Sequence, residues 1–145
     1  MTEIRLPPDA LLHLVTDRWT EPFWAAAREH RLTAARCAGC ATYRMPPTPF
    51  CPRCHAQALD WPTLSGRGTL YSFTVVRRLA MAGAEAHLPY VPCVVTPDDA
   101  PDVRLISCLV GCTTDRIRIG MALHVGWHDR PDGITTHHFR PREPS

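Results

Sequence analysis

Four cysteines arranged as two Cys-x2-Cys pairs constrain the fold of this chain more than any other feature. Ten residues separate the pairs in the stretch RCAGCATYRMPPTPFCPRC, whose cysteines are Cys37, Cys40, Cys51 and Cys54. Each pair forms a tight turn that presents both sulfurs to one ion, and two facing turns enclose Zn²⁺ tetrahedrally at about 2.3 Å per bond. Because four thiolates leave no position open for water, the pattern predicts a structural zinc site.

The predicted metal would also be needed for folding. A segment of about thirty residues is too short to build an adequate hydrophobic core alone, whereas zinc binding is worth on the order of 10–16 kcal/mol in finger peptides. Two alternatives stay open at this point, namely iron, which suits the same four-sulfur geometry, and thiols without a metal. A thioredoxin-type dithiol would need a βαβ setting, which this region lacks.

Composition excludes several function classes. All 16 basic residues are arginine, so Schiff-base catalysis by lysine and a P-loop lysine are ruled out. A net charge of +2 is far from that of a dedicated nucleic-acid binder. No stretch approaches the ~20 apolar residues of a membrane helix, and residues 11–15 are too polar for a signal peptide. We therefore expect a cytoplasmic protein with reduced cysteines, which favours metal binding over disulfides.

The first 33 residues predict a lead-in followed by one short helix. Two prolines interrupt residues 1–18, which we expect to be loosely structured. Thr20 is the predicted cap of a helix that begins at Glu21 and Pro22, with the acid favourably placed in the first turn. The Ala-rich sequence EPFWAAAREHRL continues it. Such a helix could pack on its own domain or serve as a partner-binding arm.

After the cysteine region the pattern changes to strands. Alternation in TLYSFTVV and four later apolar runs predict five strands, at residues 69–76, 90–96, 103–111, 122–128 and 134–139. Turns rich in Gly, Pro and Asp separate them, which predicts a small closed or nearly closed barrel. SGRG at 65–68 is the expected joint, Pro92 suggests an edge or a bulge, and the terminal PREPS is expected to fray.

Other candidate residues give weaker signals. Cys93, Cys108 and Cys112 lie in or beside apolar strands and are expected to be unligated. His137 and His138 should point to opposite faces of a strand, so we expect ordinary surface or partly packed side chains there. No catalytic motif is recognisable in the sequence.

Arginines supply the remaining binding candidates. Arg77 and Arg78 follow the first long strand, where they could contact phosphates or simply be solvated. Residues 79–89 are unusually apolar for a loop and suggest an interface.

The chain resembles a known family from residue 23 to residue 141. The shared motifs are FWAAAREHRL, the RCxGC–CPRC ribbon, LDWPTLSGRGTLYSFTVV, LPYVPCVV, LISCLVG, IGMALHVGW and HHFRP. This is similar to the acyl-CoA-associated zinc-ribbon/OB-fold family, found beside thiolase-like enzymes. Family members often have Gly and Arg where this chain has Ala41 and Thr48.

The resemblance implies a mainly β fold: an N-terminal helix, a rubredoxin-like zinc ribbon and a five-stranded OB-fold barrel. We predict an N-terminal segment and helix at 1–33, the ribbon at 34–62 and the OB-fold domain at 63–145. It implies a non-catalytic accessory subunit that docks on a thiolase-fold partner (a thiolase, retro-aldolase or acyltransferase), stabilises it and helps to shape a channel for acyl-CoA. Arg77 and Arg78 would contact CoA phosphates.

Two other function classes stay open. Zinc ribbons and OB barrels also bind single-stranded nucleic acid with aromatic and basic side chains, here Tyr71, Phe73 and the two arginines. A free-standing enzyme is the third hypothesis, and the absence of lysine and of an open metal position disfavours it.

Overall fold

The computed structural model describes residues 2–143. One helix, α1 (Glu21–Arg28), precedes a two-stranded ribbon formed by β1 (Arg36–Cys37) and β2 (Leu59–Asp60). Five longer strands follow, namely β3 (Arg67–Phe73), β4 (Val91–Pro97), β5 (Leu105–Leu109), β6 (Ala122–Asp129) and β7 (Thr135–Pro141). The end of PREPS, where fraying is expected, lies outside the described residues. Within 2–143, no helix has the length and apolar character needed to cross a bilayer.

The five longer strands close into a barrel in the order β3-β4-β5-β7-β6. Neighbouring strands are antiparallel except β5 and β7, which run parallel and share one registered pair, Leu109 with Phe139. Strand β4 alternates strictly between buried and half-buried residues, as expected for a strand with one face toward a core. The predicted mainly β architecture with a five-stranded barrel is confirmed.

Apolar side chains from all five strands fill the barrel. The largest fully buried ones are Phe139, Leu70, Leu109, Leu123, Val91 and Val95. Burying one such side chain stabilises the fold by about 1.5–3 kcal/mol. The same cluster reaches Phe23 of α1 and Leu32 beyond it, so the helix and the barrel share one core.

Pro92 does not mark an edge or a bulge, and that prediction is wrong. It lies in β4 between two other strands and pairs in register with Cys108, while the register shift falls between Leu70 and Ser72 of β3. The carbonyl of Pro92 accepts a hydrogen bond from the Thr74 N–H. Because proline has no N–H, Pro92 accepts this bond but donates none in return.

The N-terminal segment (residues 2–12) is held against the barrel, contrary to the expected loose lead-in. Glu3 forms a bridge with Thr113, and the Arg5 N–H donates to the Pro89 carbonyl at 2.9 Å. Further contacts join His87 Nδ1 to the Leu6 carbonyl, His128 Nε2 to Asp9 Oδ1, and the Arg130 guanidinium to the Leu12 carbonyl. Because Pro89 and His87 belong to the apolar 79–89 loop, this segment covers part of that loop.

Helix α1 begins where predicted, at Glu21, with Thr20 in the N-cap position. Thr20 makes no side-chain capping bond, and Asp17 Oδ1 instead accepts the N–H groups of Trp19 and Thr20, both at 2.9 Å. These bonds, above all the one from Thr20, lower the pKa of the Asp17 carboxyl. The buried face of the helix carries Phe23 and two alanines. It contacts β7, so this face packs on its own chain.

The two adjacent histidines of β7 occupy different environments. His137 Nδ1 lies 2.7 Å from Ser107 Oγ, and its ring stacks on Trp24. His138 is 4% exposed, and within residues 2–143 its Nδ1 has no hydrogen-bond partner. Burial lowers the pKa of each imidazole to about 4. Both rings are therefore uncharged at neutral pH, and His138 is fully packed where a surface or partly packed side chain was expected.

These pKa values predict a loss of stability in mild acid. The unfolded chain takes up a proton at each histidine near its ordinary pKa of about 6.5, before the folded chain does. Stability should therefore be constant above pH 6.5 and fall between pH 6.5 and pH 4, by about 3 kcal/mol per histidine. Urea unfolding at several pH values measures this. H137Q should flatten the dependence, whereas H13Q, at an exposed position, should leave it unchanged; equal slopes in all three proteins would contradict the prediction.

Candidate metal centre

Two equivalent turns build the cysteine site. In the first, the Ala41 N–H donates to the Cys37 carbonyl at 2.9 Å, and in the second, the His55 N–H donates to the Cys51 carbonyl at 3.0 Å. The last residue of each turn has a left-handed backbone, with φ of 64° at both Ala41 and His55. This conformation closes each turn so that its two sulfurs face one point.

The four predicted cysteines converge. Their sulfur atoms all lie within 4.8 Å of one another. Cys37 Sγ is 3.5 Å from Cys54 Sγ, and Cys40 Sγ is 3.6 Å from Cys51 Sγ. Four ligands at tetrahedral corners with bonds of about 2.3 Å are separated by about 3.8 Å. The donor set and its spacing therefore suit one tetrahedral metal ion.

Backbone donors prepare two of the thiols for metal binding. A hydrogen bond from the backbone N–H of Cys40, and a weaker one from that of Gly39, lower the pKa of the Cys37 thiol. The N–H groups of Cys54 and Arg53 lower the pKa of Cys51 to about 6. Since the thiolate is the form that ligates metals, these amides stabilise the state that an ion requires.

Cys54 shifts in the opposite direction. The Ala56 N–H acts to lower its pKa, but the thiols of Cys37 and Cys40 outweigh that effect and raise it to about 11. Without a metal, the four clustered thiols therefore do not all lose their protons, and Cys54 keeps its own. A dication would replace those protons and offset half of the negative charge of four thiolates.

A buried arginine supports the ribbon, and sequence reasoning missed it. Arg44 is 5% exposed. Its guanidinium donates to three carbonyls, those of Thr48 at 3.0 Å, Gln57 at 2.8 Å and Ala56 at 3.4 Å. These carbonyls lie on both sides of the second cysteine pair, so one side chain fixes the loop that carries Cys51 and Cys54. An arginine between two cysteine pairs gives no local sign of this role.

A second arginine joins the two ribbon strands. Arg36 donates to both carboxylate oxygens of Asp60, at 3.0 and 2.9 Å. The bond from Arg36 lowers the pKa of Asp60. Because both side chains are more than a third exposed, the pair contributes more to strand register than to stability.

The left-handed backbone at Ala41 predicts a stabilising substitution. A side chain costs roughly 1–2 kcal/mol in this conformation, whereas glycine adopts it freely. After subtracting the greater entropy of glycine in the unfolded chain, A41G should stabilise the ribbon by up to about 1 kcal/mol. Thermal unfolding of the metal-loaded protein measures the gain. A38G, which changes the same residue type at an ordinary backbone position, should lower the melting temperature; a loss of stability in A41G would contradict the prediction.

The other sequence candidates lie outside this cluster. Cys93 is buried in β4, and burial raises its pKa to about 12; Cys108 in β5 is half-buried, with a pKa raised by burial to about 11. A metal could be held by three or more neighbouring His, Cys, Asp or Glu side chains. Among residues 2–143, such a grouping is found at the four-sulfur cluster alone. Arg77 and Arg78 are exposed in the loop between β3 and β4, with no side-chain hydrogen bond or ion pair inside the described range.

Two family models match the chain in succession. One is described as "ChsH2, rubredoxin-like zinc ribbon domain" and matches residues 24–60. The other is described as "ChsH2, C-terminal OB-fold domain" and matches residues 61–128. The four cysteines are thus positioned for metal binding within a zinc-ribbon domain. The domain boundaries 1–33, 34–62 and 63–145 stay a prediction.

Two curated relatives are longer than this chain. The "Probable enoyl-CoA hydratase alpha subunit" of Thermomonospora curvata is 38% identical over 125 residues, which cover 84% of this chain and 37% of the relative. The "3-oxo-4,17-pregnadiene-20-carboxyl-CoA hydratase alpha subunit" of Mycobacterium tuberculosis is 31% identical over 127 residues, covering 88% and 39%. The chain spans about two fifths of the length of both.

Solved structures complete the comparison. A chain of the "Ltp2-ChsH2(DUF35) aldolase" superposes with a TM-score of 0.80 at 33% identity, over 89% of this chain and 98% of that one. A protein of unknown function from the DUF35 family of Sulfolobus solfataricus shares the fold, with a TM-score of 0.61 at 12% identity over 88% and 87%. This chain therefore belongs to the ChsH2 family of zinc-ribbon and OB-fold proteins, which confirms the predicted family.

Proposed function

We propose that this chain is a non-catalytic accessory subunit of an acyl-CoA-processing complex, with a structural zinc ion held by Cys37, Cys40, Cys51 and Cys54. The likeness to a chain of an aldolase, over nearly all of that chain, carries the proposal. The two curated relatives support it, since both are described as subunits of CoA-thioester hydratases. A zinc site closed by four thiolates contributes folding energy and leaves no position for a substrate.

The partner in this proposal is an enzyme with a thiolase fold, and exposed apolar side chains supply the contact. Phe50 of the ribbon is 59% exposed and Tyr71 of the barrel 55% exposed. Aromatic side chains in such positions are typical anchors of protein interfaces. Arg104 lies over the Tyr71 ring at 4.4 Å, which holds that ring in one orientation before any partner binds.

Arg77 and Arg78 complete the proposed channel as contacts for CoA phosphates. Both guanidinium groups are exposed and make no ion pair in the described part of the chain. A planar guanidinium donates two parallel hydrogen bonds to a phosphate. R77A/R78A should therefore raise the KM for acyl-CoA in the assembled complex several-fold, with kcat and assembly unchanged. An unchanged KM would remove the two arginines from the channel.

One pair of side chains resembles a nucleophile and a base, but we assign it no catalytic role. Ser107 Oγ lies 2.7 Å from His137 Nδ1. The serine is 7% exposed, and no carboxylate within residues 2–143 forms a hydrogen bond with His137. The pair thus lacks the third group that would orient the imidazole as a base.

Affinity purification from the native host tests the accessory role. The tagged chain should retain a thiolase-fold or other acyl-CoA enzyme, identified by mass spectrometry. F50D should retain less of it, whereas V15D, which changes another exposed apolar residue, should retain as much as the wild type. A monomeric chain that retains no such enzyme and alters no such activity would refute the proposal.

Single-strand nucleic-acid binding is the second candidate, because Tyr71 and Phe73 are exposed on the barrel and Arg77 and Arg78 follow them. Stacking aromatics beside basic side chains are the usual platform for single strands. The net charge of +2 disfavours it. Binding to an oligonucleotide that weakens steeply with added salt would support this function, and no binding at low salt would exclude it.

A further inference from the structure

A cavity opens where the barrel is paired most weakly. Strands β5 and β7 share the single registered pair Leu109 with Phe139. On one side of that pair, both strands contribute to a cavity of about 440 Å³, through Cys108 and its neighbours from β5 and through Thr136 and His137 from β7. The Ser107 hydroxyl spans this gap to His137 at 2.7 Å.

The cavity walls are mainly apolar. Trp24 of α1 and Pro92 of β4 line it, and the N-terminal segment (residues 2–12) crosses it with Leu6, two prolines and two leucines. Ile106, at the rim, is 76% exposed. The volume falls in the range of about 300–1,000 Å³ that small-molecule sites occupy.

Charged side chains in the lining are already paired. Asp9 Oδ1 lies 2.9 Å from His128 Nε2. The Arg130 guanidinium donates to Asp132 at 2.7 Å and to the Leu12 carbonyl at 3.0 Å. Each acidic, arginine and histidine side chain of the lining thus already has a hydrogen-bond partner, and an anion would have to compete with Asp9 and Asp132. The site therefore favours an uncharged ligand.

We propose that this cavity binds an uncharged hydrocarbon group, held between strands β5 and β7 under the N-terminal segment. The group could be the acyl part of a CoA thioester or a free lipophilic molecule. In the first case the inference rests on the proposed function and makes this chain a wall of the acyl channel.

Protection of one cysteine tests the site without any mutation. Cys108 lines the cavity, whereas Cys112 is equally half-buried and lies outside it. The full zinc-loaded chain is alkylated with iodoacetamide at pH 8.5, with or without saturating 1-N-phenylnaphthylamine, and the modified peptides are quantified. The uncharged probe should slow labelling at Cys108 at least fivefold and leave Cys112 unchanged. Equal rates at Cys108 with and without the probe would overturn the proposal.

A substitution that fills the cavity with a larger side chain provides a second test, read out by probe binding. C108F should weaken probe binding, followed by fluorescence, at least tenfold, while C112F should bind as the wild type does. Circular dichroism confirms that both variants are folded. If C108F folds and binds equally well, the probe lies elsewhere and the proposal fails. Protection of Cys108 that grows with protein concentration alone would indicate a second copy on this face, which would also overturn it.

Competition with decanol and with decanoyl-CoA distinguishes a free lipophilic ligand from the acyl part of a CoA thioester. Displacement of the probe by decanol alone indicates a free lipophilic ligand, and displacement by decanoyl-CoA alone indicates an acyl group presented with its CoA. Displacement by both shows that the hydrocarbon suffices, and displacement by neither overturns the proposal. Because these measurements use the isolated chain, a negative result leaves the accessory role intact, and a failed purification of a partner leaves the cavity intact.

Discussion

C51S should abolish zinc binding and unfold the ribbon. Cys51 is a fully buried member of the four-sulfur cluster, and a serine hydroxyl stays protonated where a thiolate is needed. Metal binding in such sites is worth on the order of 10–16 kcal/mol, as much as the whole stability of an ordinary domain. We expect elemental analysis to find one zinc per wild-type chain and none in C51S, with partner assembly lost.

C112S is the matched control for this experiment. It makes the same chemical change at a half-buried thiol outside the cluster, so zinc content and melting temperature should stay close to the wild-type values. Iron in place of zinc would be detected in the same elemental analysis and by visible absorbance. Stoichiometric metal in C51S, or its absence from the native wild-type protein, would contradict the assigned site.

Local patterns were sufficient for the metal cluster and most of the barrel. A two-residue gap between cysteines determines which way both side chains point, so the cluster needed no knowledge of distant residues. Alternating burial likewise belongs to each strand by itself. The predicted first strand, residues 69–76, ends in the structure at Phe73, because Pro92 lies opposite Thr74 and has no N–H to donate to the ladder.

Long-range contacts account for what the sequence did not reveal. Asp9 and His128 are 119 positions apart and meet at 2.9 Å, and no pattern near either residue indicates that contact. The burial of His138 follows in the same way from its place opposite Gly126, where a Cβ atom would collide with the imidazole. Thr20 takes the predicted N-cap position but makes no capping bond, since its hydroxyl donates to Asp17 in the preceding turn.

R44M should destabilise the ribbon strongly, although less than the loss of a metal ligand. The guanidinium satisfies three carbonyls around the second cysteine pair, and methionine fills similar space without a donor. Charged hydrogen bonds contribute about 1.5–3 kcal/mol each, and a buried acceptor left unpaired costs about 1–3 kcal/mol. Since one of the three bonds is long, we expect a loss of about 3–5 kcal/mol in the free energy of unfolding.

Zinc release to a chromogenic chelator distinguishes this support role from simple packing. Because Arg44 positions the loop of Cys51 and Cys54, R44M should release zinc at least tenfold faster than the wild type. R44K keeps the charge but lacks the planar fork that reaches three acceptors, so it should lie between the two. R53M makes the same change at an exposed ribbon arginine without side-chain hydrogen bonds in the described range and should release zinc at the wild-type rate. Equal release rates for R44M and R53M would show that the cysteine turns hold their geometry without Arg44.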